Sequence, residues 1–239
     1  MSEIVEQIML AFHGWFKTLQ ISIPTLVDAF KHRLTREACD ERLRDWSQCV
    51  FDRAQIQMEV EGLNHLDDHP DEAFVLMSNH LSTYDIIVLF VAMQWRSLRM
   101  LVKGQLMDIP VWGQAMAEAD FVRVDRENLE LAKATLNRAG ETLNPRIHYW
   151  AAPESTRSRT GKLLRFGKGS FHFARKAKRR IIPVTLIGTA DIVSVDSFRV
   201  RRGARVKVIF GAPVDPFAFD DMNDLVAHVR SEIASRLPV

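Results

Sequence analysis

The chain has 239 residues, of which 47% are apolar and 26% are charged, the composition of one compact globular domain or of one domain with a small appendage. Eleven Gly and nine Pro exclude a collagen-like or linker-dominated chain, and a total of two cysteines excludes a disulfide framework. A formal net charge of +2 gives no overall argument for binding to nucleic acid.

The N-terminal segment is predicted to be helical. Apolar residues recur at spacings of three and four over residues 3–19, the pattern of an amphipathic helix with an unusually aromatic face. A second helical pattern follows Pro24 from Leu26 to Leu34, and the chain is highly charged from Lys31 to Arg53. We expect residues 1–54 to form a helical appendage.

The aromatic face of the first helix has two interpretations. Amphipathic helices of globular domains use such a face to pack on the core. Trp15 and Phe16 beside Lys17 also suit a helix that lies in the headgroup region of a membrane, although Glu3 and Glu6 weaken attraction to anionic lipid.

From Gln55 onward, short apolar and often β-branched segments alternate with helix-length stretches. This alternation predicts an α/β domain over residues 55–239, with a mixed, largely parallel sheet flanked by helices. The predicted strands are residues 57–60, 73–77, 98–102, 121–124, 147–151, 181–187 and 206–209. The predicted helices are residues 85–94, 111–119, 127–143, 169–177 and 221–237.

Positive charge is concentrated in one part of the chain. Between Arg157 and Lys207 there are 15 Lys or Arg and only two acids, so this stretch carries +13 and the rest of the chain −11. Individual basic side chains are usually solvated surface groups. The density of the stretch nevertheless predicts a positive face and an anionic partner, either a phosphate-bearing substrate or anionic lipid. Nucleic acid is disfavoured because no nucleic-acid-binding signature accompanies the charge.

The cellular setting follows from what the sequence lacks. No basic segment followed by an apolar core and a cleavage site directs export, so we expect a reducing cytoplasm. Cys39 and Cys49 do not have metal-ligand spacing, and no metal site is predicted. The longest apolar run, Ile86 to Met93, is far shorter than the roughly 18 residues of a membrane span.

The first candidate for chemistry is a histidine that follows a buried strand. Residues 79–85 read N-H-L-S-T-Y-D, which places His80 five residues before Asp85. The two would lie on different faces of a continuous helix, so they meet only if a turn separates them, and Ser82 and Thr83 offer a turn and a helix N-cap. An aspartate bonded to one imidazole nitrogen would leave the other free to take a proton. The alternatives are a histidine at the core edge and an aspartate that caps the next helix.

Four further segments follow in order. Residues 103–113 read K-G-Q-L-M-D-I-P-V-W-G, residues 121–126 F-V-R-V-D-R, residues 153–161 P-E-S-T-R-S-R-T-G, and residues 182–184 I-P-V. With N-H-x4-D at residues 79–85, this ordered set resembles the glycerolipid acyltransferase family, of which the 1-acyl-glycerol-3-phosphate acyltransferases are the type. The family fold, an α/β core preceded by a helical membrane-docking element, agrees with the periodicity.

The resemblance implies a role for each matching residue. His80 would be the general base on the acceptor hydroxyl, and Asp85 would orient it. The implied acceptor phosphate site contains Lys103 and Arg126 of the second motif and Glu154, Thr156 and Arg157 of the third. Glu154 is interpreted as the residue that orders the basic loop. Attack of an alcohol on a thioester needs no cofactor.

Two positions depart from the family pattern. Ser155 stands where the family has Gly in F-P-E-G-T-R, and Asp120 stands where Gly often precedes the second strand motif. A side chain at position 155 could narrow the phosphate cradle, and an anion at position 120 would be unhelpful near a phosphate. These departures bear on the identity of the acceptor more than on the reaction.

The resulting hypothesis is an acyltransferase at the cytoplasmic face of the membrane. It would move an acyl group from acyl-CoA or acyl carrier protein to the hydroxyl of a lysophospholipid such as 1-acyl-glycerol-3-phosphate, or of another hydroxylated lipid. The alternative is a catalytically silent lipid-binding or membrane-recruiting protein of the same fold, which Ser155 and Asp120 motivate. Hydrolysis is disfavoured because the chain has no G-x-S-x-G nucleophile elbow.

Overall fold

A computed structural model describes residues 3–124, 143–197 and 199–238. The described strands form one seven-stranded sheet, and each begins and ends within two residues of its predicted bounds. The strands are β1 (Gln57–Glu61), β2 (Val75–Ser78), β3 (Leu98–Lys103), β4 (Val122–Val124), β5 (His148–Ala151), β6 (Ile181–Ile187) and β7 (Arg205–Phe210).

Helices cover both faces of this sheet. The predicted helix at residues 127–143 lies, apart from Leu143, outside the described residues. The described helices are α1 (Glu3–Phe30), α2 (Arg36–Arg53), α3 (Asn64–Asp67), α4 (Asp85–Ala92), α5 (Gly104–Met107), α6 (Trp112–Glu118), α7 (Gly169–Lys176) and α8 (Met222–Ala234), with a 3₁₀ turn at Thr189–Asp191.

The strand order is β1-β7-β6-β2-β5-β3-β4. Neighbouring strands from β6 to β4 run parallel, whereas β7 runs antiparallel to β6 and pairs in parallel with β1. The predicted mixed, largely parallel sheet is therefore confirmed. Because β2, β5 and β3 are adjacent and parallel, their carboxyl ends lie side by side at one edge of the sheet.

Alternate residues of the strands feed two apolar cores, one on each face of the sheet. On one face Leu76 and Trp150 pack with side chains of α2 and α4. On the other face Val75 and Tyr149 pack with side chains of α7 and α8. A strand buried on both faces reads as a continuous apolar run, which is the pattern that β2 and β6 show.

Helix α1 differs from the sequence prediction at Pro24. Two helical segments separated by this proline were expected, but one helix continues through it from Glu3 to Phe30. Proline removes a backbone donor and usually breaks a helix. Here the hydroxyls of Ser22 and Thr25 bond the carbonyls of Thr18 and Ile21, and the inner face of the helix packs against the rest of the protein on both sides of the proline.

The two faces of α1 have the reverse of the usual polarity. Thr18, Ser22 and Thr25 are buried, whereas large apolar side chains on the other side of the helix are exposed. Among the α1 side chains that the structure describes, the large apolar ones that are exposed are Met9, Phe12, Trp15, Phe16, Leu19, Ile23, Val27 and Phe30. Within the described ranges, no helix is both long enough and apolar enough to pass through a bilayer.

A buried polar network joins α2 to the sheet. Arg99 of β3 is fully buried and donates to the Asp40 carboxylate at 2.7 Å. The same carboxylate accepts a hydrogen bond from the Ser97 hydroxyl and lies 3.4 Å from the Arg36 guanidinium. Removing one partner of a buried ion pair leaves an uncompensated charge, so this network fixes the position of α2 on β3.

Candidate active site

The predicted site residues lie at the carboxyl ends of three adjacent strands. His80 follows β2, Lys103 ends β3, and the segment from Glu154 to Arg157 follows β5. In parallel sheets, this edge is where loops bring reactive groups together. Residues that are 23 to 77 positions apart in the sequence therefore meet at one place.

His80 and Asp85 are in direct contact. The Asp85 Oδ2 atom lies 2.6 Å from the His80 Nδ1 atom and also accepts hydrogen bonds from the backbone N–H groups of Leu81 at 2.8 Å and Ser82 at 3.1 Å. Asp85 is fully buried, and the His80 side chain is 22% exposed. Because the carboxylate accepts at Nδ1, the neutral ring carries its proton there, and the lone pair lies on Nε2.

A tight turn at residues 81–84 brings the two side chains together. Tyr84 directly precedes α4 and makes no side-chain cap bond, but the expected contribution of Ser82 is present, because its hydroxyl oxygen accepts from the Tyr84 N–H at 3.3 Å. The Ser82 hydroxyl also donates to the Val193 carbonyl at 2.7 Å. The Asp85 carboxylate itself stabilises the turn, because two backbone N–H groups of the turn converge on it.

The Glu154 carboxylate accepts hydrogen bonds from the backbone of two segments, one of which contains His80. One carboxylate oxygen accepts from the His80 N–H and the other from the Leu164 N–H, each at 2.9 Å. Burial raises the pKa of this carboxyl, and the two backbone hydrogen bonds oppose that shift. Ser158 adds a third link, because its N–H donates to the His80 carbonyl at 2.8 Å. The loop after β5 is thus bonded to the backbone on both sides of the imidazole.

A cavity of about 670 Å³ has His80 in its lining and extends between α1, α2, α4 and α6. This size lies within the range of sites for small organic ligands. Most of its wall is apolar. The apolar lining includes Ile21, Leu43, Trp46, Ile86, Ile87, Phe90, Met100, Leu101, Val102, Leu106, Trp112, Met116 and Phe121.

The polar lining of the cavity contains several predicted site residues. Lys103, Thr156 and Arg157 line it together with His80, as does Ser155. Asp85 and Glu154 do not line it but bond to His80 from behind. Arg126 lies outside the described residues. Arg42, which pairs with Asp28, also lines the cavity. The cavity therefore joins an imidazole, three cationic side chains and a large apolar volume.

Asp120 does not occupy the cavity wall. Its neighbours Ala119 and Phe121 line the cavity, while the charged groups that act on Asp120 are Arg99 and Asp40. Burial raises the pKa of the Asp120 carboxyl, and Arg99 opposes this shift. An anion at position 120 was expected to disfavour phosphate binding, but the Asp120 side chain does not line the cavity.

Sequence reasoning missed the groups that support His80 from the sheet. The ring of Trp150 on β5 meets the imidazole edge-on, with ring centroids 5.7 Å apart. The Trp150 indole N–H donates to the Ser78 hydroxyl at 2.9 Å, and that hydroxyl donates to the Asn79 carbonyl. The buried Asn79 amide also exchanges two 2.8 Å hydrogen bonds with the backbone of Leu186 on β6. In the sequence, only the position of Asn79 directly after a buried strand indicated that it could support His80.

The basic stretch after Arg157 is largely structural where its contacts are described. Arg175 and Arg179 each donate to two backbone carbonyls, and Arg180 pairs with Glu72. Lys207 pairs with two glutamates of the edge strand β1. These residues lie on α7, between α7 and β6, and on β7. Their pairing reduces the positive charge of the expected single face. Among the described residues of the stretch, Arg157 is the one that lines the cavity.

A comparison with models of protein families identifies the family of this chain. The model of the Acyltransferase family matches residues 57–187, which include the carboxyl ends of β2, β3 and β5 and cover more than half of the chain. The chain belongs to the acyltransferase family. The family predicted from the ordered motifs is thereby confirmed.

Individual relatives of this acyltransferase-family chain carry consistent names. The human 1-acyl-sn-glycerol-3-phosphate acyltransferase alpha is 28% identical over 177 residues, covering 73% of this chain and 62% of that protein. The chloroplastic 1-acyl-sn-glycerol-3-phosphate acyltransferase LPAT1 of Arabidopsis thaliana is 31% identical over 181 residues, covering 76% and 49%. The chain thus spans about half to three fifths of the length of these relatives.

A solved structure shares the fold over nearly the whole chain. The 1-acyl-sn-glycerophosphate (LPA) acyltransferase PlsC from Thermotoga maritima superposes with a TM-score of 0.78, covering 98% of this chain and 95% of its own. Sequence identity is 22%, so this likeness establishes the architecture, including the N-terminal helices, and leaves substrate and residue roles to be argued from the site.

Proposed function

We propose that this chain transfers a fatty acyl group from an acyl thioester, acyl-CoA or acyl carrier protein, to the free hydroxyl of a lysophospholipid of the 1-acyl-glycerol-3-phosphate type. The observation that carries the proposal is the His80–Asp85 pair, with His80 in the lining of a cavity that has both cationic and apolar walls. The names of the relatives support the same acceptor class.

The proposed reaction uses His80 as a general base. Its Nε2 atom takes the proton of the acceptor hydroxyl while the oxygen attacks the thioester carbonyl. The tetrahedral intermediate then collapses, the C–S bond breaks, and the imidazolium returns the proton to the leaving thiolate. The Asp85 carboxylate holds the ring in the required tautomer and stabilises the positive charge that it acquires, as its 2.6 Å contact with Nδ1 supports.

The proposed acceptor phosphate site lies beside His80. Lys103 and Arg157 supply positive charge at the cavity wall, and the Thr156 hydroxyl supplies a neutral donor. Arg126 joins this group on the strength of its motif match alone. Glu154 contributes by ordering the loop, a role that its two backbone hydrogen bonds support.

The apolar part of the cavity is proposed to hold an acyl chain. Its walls come from α1, α2, α4 and α6, so the N-terminal helices would form part of the lipid site as well as a docking element. Burying an alkyl chain against such walls yields about 0.8 kcal/mol per CH₂ group, and the bound chain would position the reacting carbonyl near His80.

The exposed apolar face of α1 is proposed to contact the membrane surface. Soluble monomers rarely expose a contiguous apolar patch of this kind unless it has a binding role, and a helix with such a face lies in the plane of the interface. The lysophospholipid acceptor would then enter from the bilayer. The free thiols of Cys39 and Cys49 are compatible with the proposed cytoplasmic side.

The test is a screen of purified chain with oleoyl-CoA and a series of lysolipids. Thiol release that depends on added lysophosphatidic acid, with phosphatidic acid identified by mass spectrometry, is the expected result. Release of free fatty acid without an acceptor would indicate a hydrolase. Binding of lysolipid without thiol release, from either acyl-CoA or acyl carrier protein, would indicate a catalytically silent lipid-binding protein. Each of these two results would contradict the proposal.

A further inference from the structure

The two cysteines of the chain have different surroundings. Cys39 is 4% exposed, and burial raises the pKa of its thiol. Cys49 is half-buried, and its Sγ atom lies 3.3 Å from the Nε2 atom of His13. The contact joins α2 to α1, and neither residue lines the cavity. Cys49 and His13 therefore form a pair of nucleophile and base that the proposed reaction does not use.

The imidazole of His13 is in the form that accepts a proton. Burial, with smaller contributions from Arg53 and Lys17, lowers its pKa, so the ring is neutral at pH 7. Arg53 lies one turn after Cys49 on α2, and Lys17 lies one turn after His13 on α1. Positive charge near a thiol favours the thiolate, which is the attacking species. The pair thus combines a base in contact with the sulfur and cations within one turn.

This pair borders the exposed apolar face of α1. Residues three and four positions apart are neighbours on a helix, so His13 lies beside Met9 and Phe16. Both of these side chains are exposed, and the Phe16 ring stacks on the ring of Phe12. An alkyl chain attached to Cys49 would therefore have an uncovered apolar surface next to it. Cysteines of amphipathic helical segments are typical sites of reversible acylation.

We propose that Cys49 is a site of S-acylation by long-chain acyl-CoA, with His13 as its base. The His13 imidazole takes the thiol proton while the sulfur attacks the acyl carbonyl. The C–S bond to coenzyme A then breaks, a new thioester forms on Cys49, and the proton passes to the leaving thiolate. One thioester replaces another, so the step needs no further reactant. The attached chain adds to the apolar surface of α1 and strengthens its binding to a bilayer.

The test is incubation of the full chain with oleoyl-CoA, followed by mass spectrometry of the peptides that contain Cys49 and Cys39. We expect a thioester that neutral hydroxylamine cleaves on Cys49 and none on Cys39. Acylation of Cys49 should be at least about 10-fold faster in the folded chain than in the urea-unfolded chain, because folding brings His13 to the thiol. Equal rates in the two states, or equal labelling of the two cysteines, would overturn the inference.

A pair of histidine substitutions isolates the role of the base. His13→Gln keeps a polar side chain beside the sulfur but cannot take its proton, so the acylation rate should fall about 10-fold. The control is His228→Gln, at an exposed residue of α8 on the other face of the sheet, which should change the rate less than about twofold. Equal rates in the two variants would overturn the assignment of His13.

Two further variants separate this inference from the proposed function. His80→Ala should acylate Cys49 at the wild-type rate, since the pair lies outside the cavity lining. Loss of the modification in His80→Ala would overturn direct attack by Cys49. Incubation with oleoyl-CoA should raise co-sedimentation of the wild-type chain with phosphatidylglycerol-containing vesicles at least about 10-fold and leave Cys49→Ser unchanged. An equal increase in Cys49→Ser, or no increase in an acylated wild-type chain, would overturn the proposed anchoring.

Discussion

At the residue scale, one carboxylate oxygen of Asp85 both stabilises the turn after β2 and contacts the proposed base. Oδ2 of Asp85 accepts from the imidazole and from two backbone N–H groups of the turn that separates the two residues. The spacing in the sequence required a turn for His80 and Asp85 to meet. It did not indicate that Asp85 would hold that turn itself, because Ser and Thr are the commoner partners for backbone N–H groups at a helix start.

Replacing this carboxylate with an amide tests its role. Asp85→Asn keeps the size of the side chain but allows the imidazole proton to move to Nε2, which removes the base. We expect kcat to fall by about 10²- to 10⁴-fold, with the Kd for lysophosphatidic acid within threefold of wild type. Steady-state kinetics and calorimetry measure the two quantities. The control is Asp67→Asn, at a 55% exposed side chain that pairs with Arg96 and does not line the cavity. A kcat within threefold of wild type in Asp85→Asn would contradict the assignment.

Arg157 and Arg159 provide a matched pair of charge deletions. Arg157 lines the cavity, whereas Arg159 is exposed and pairs with the exposed Asp196. We expect Arg157→Ala to lower kcat/KM for lysophosphatidic acid by about 30-fold, or about 2 kcal/mol, mainly through KM. Arg159→Ala should change it less than twofold, because exposed ion pairs contribute little. Equal losses in the two variants would indicate a general electrostatic effect in place of a phosphate contact.

At the element scale, α1 faces its polar residues inward and its apolar residues outward. The periodicity predicted an amphipathic helix, but it does not indicate which face of the helix packs against the rest of the protein. Only the packed structure shows that Thr18, Ser22 and Thr25 face the protein. The continuation of the helix through Pro24 was missed for a related reason, since hydroxyl-to-carbonyl bonds and packing on both sides of a proline are tertiary features.

Point substitutions on α1 test the membrane contact without opening the cavity. Phe12 and Phe30 are 66% and 86% exposed, so replacing both with Ser should leave the melting temperature within about 2 °C. Losing about 1.5–3 kcal/mol of burial per ring should lower vesicle partitioning more than 10-fold. Co-sedimentation with phosphatidylglycerol-containing vesicles measures it. Phe217→Ser, at a 60% exposed residue after β7, is the control. Unchanged partitioning of the double variant would exclude this face as the contact.

The start of β5 gives the fold a pH dependence separate from the site. Burial, more than nearby Arg179 and Arg96, lowers the pKa of His148 from 6.5 to about 3. Its neutral Nδ1 atom accepts from the Phe74 N–H at 3.1 Å. Below pH 6.5 the unfolded chain binds a proton that the folded chain does not. The stability contribution is therefore complete above pH 6.5 and declines as the pH falls toward 3, by at most about 1.4 kcal/mol per pH unit.

The variant His148→Asn tests this sign. The amide oxygen of asparagine can accept the same backbone hydrogen bond but does not titrate. Urea unfolding at pH 7, 6 and 5 should show a free energy of unfolding that falls less steeply with decreasing pH in the variant than in the wild-type chain. The variant can be less stable at pH 7 because it loses the ring stacked on Phe74. Equal slopes would contradict the assignment of this dependence to His148.

At the scale of the whole molecule, the sheet brings together what the sequence keeps apart. The alternation of elements predicted the strands, and the ordered motifs predicted candidate site residues that the sheet places at three adjacent strand ends. The cavity was not predictable in this way, because its walls come from four helices and several strands that are far apart in the chain. Asn79, Ser78 and Trp150 were missed as supports of His80 since their roles depend on contacts between adjacent strands.

The central claim is that His80 removes the proton of a bound lysolipid hydroxyl. The most direct measurement is a comparison of His80→Ala with the wild-type chain for two quantities, the single-turnover rate of thiol release from oleoyl-CoA and the Kd for lysophosphatidic acid. The account predicts a rate at least about 10³-fold lower, with a Kd within about threefold of wild type. A rate within 10-fold of wild type would contradict it, because the acyl transfer would then proceed without this imidazole.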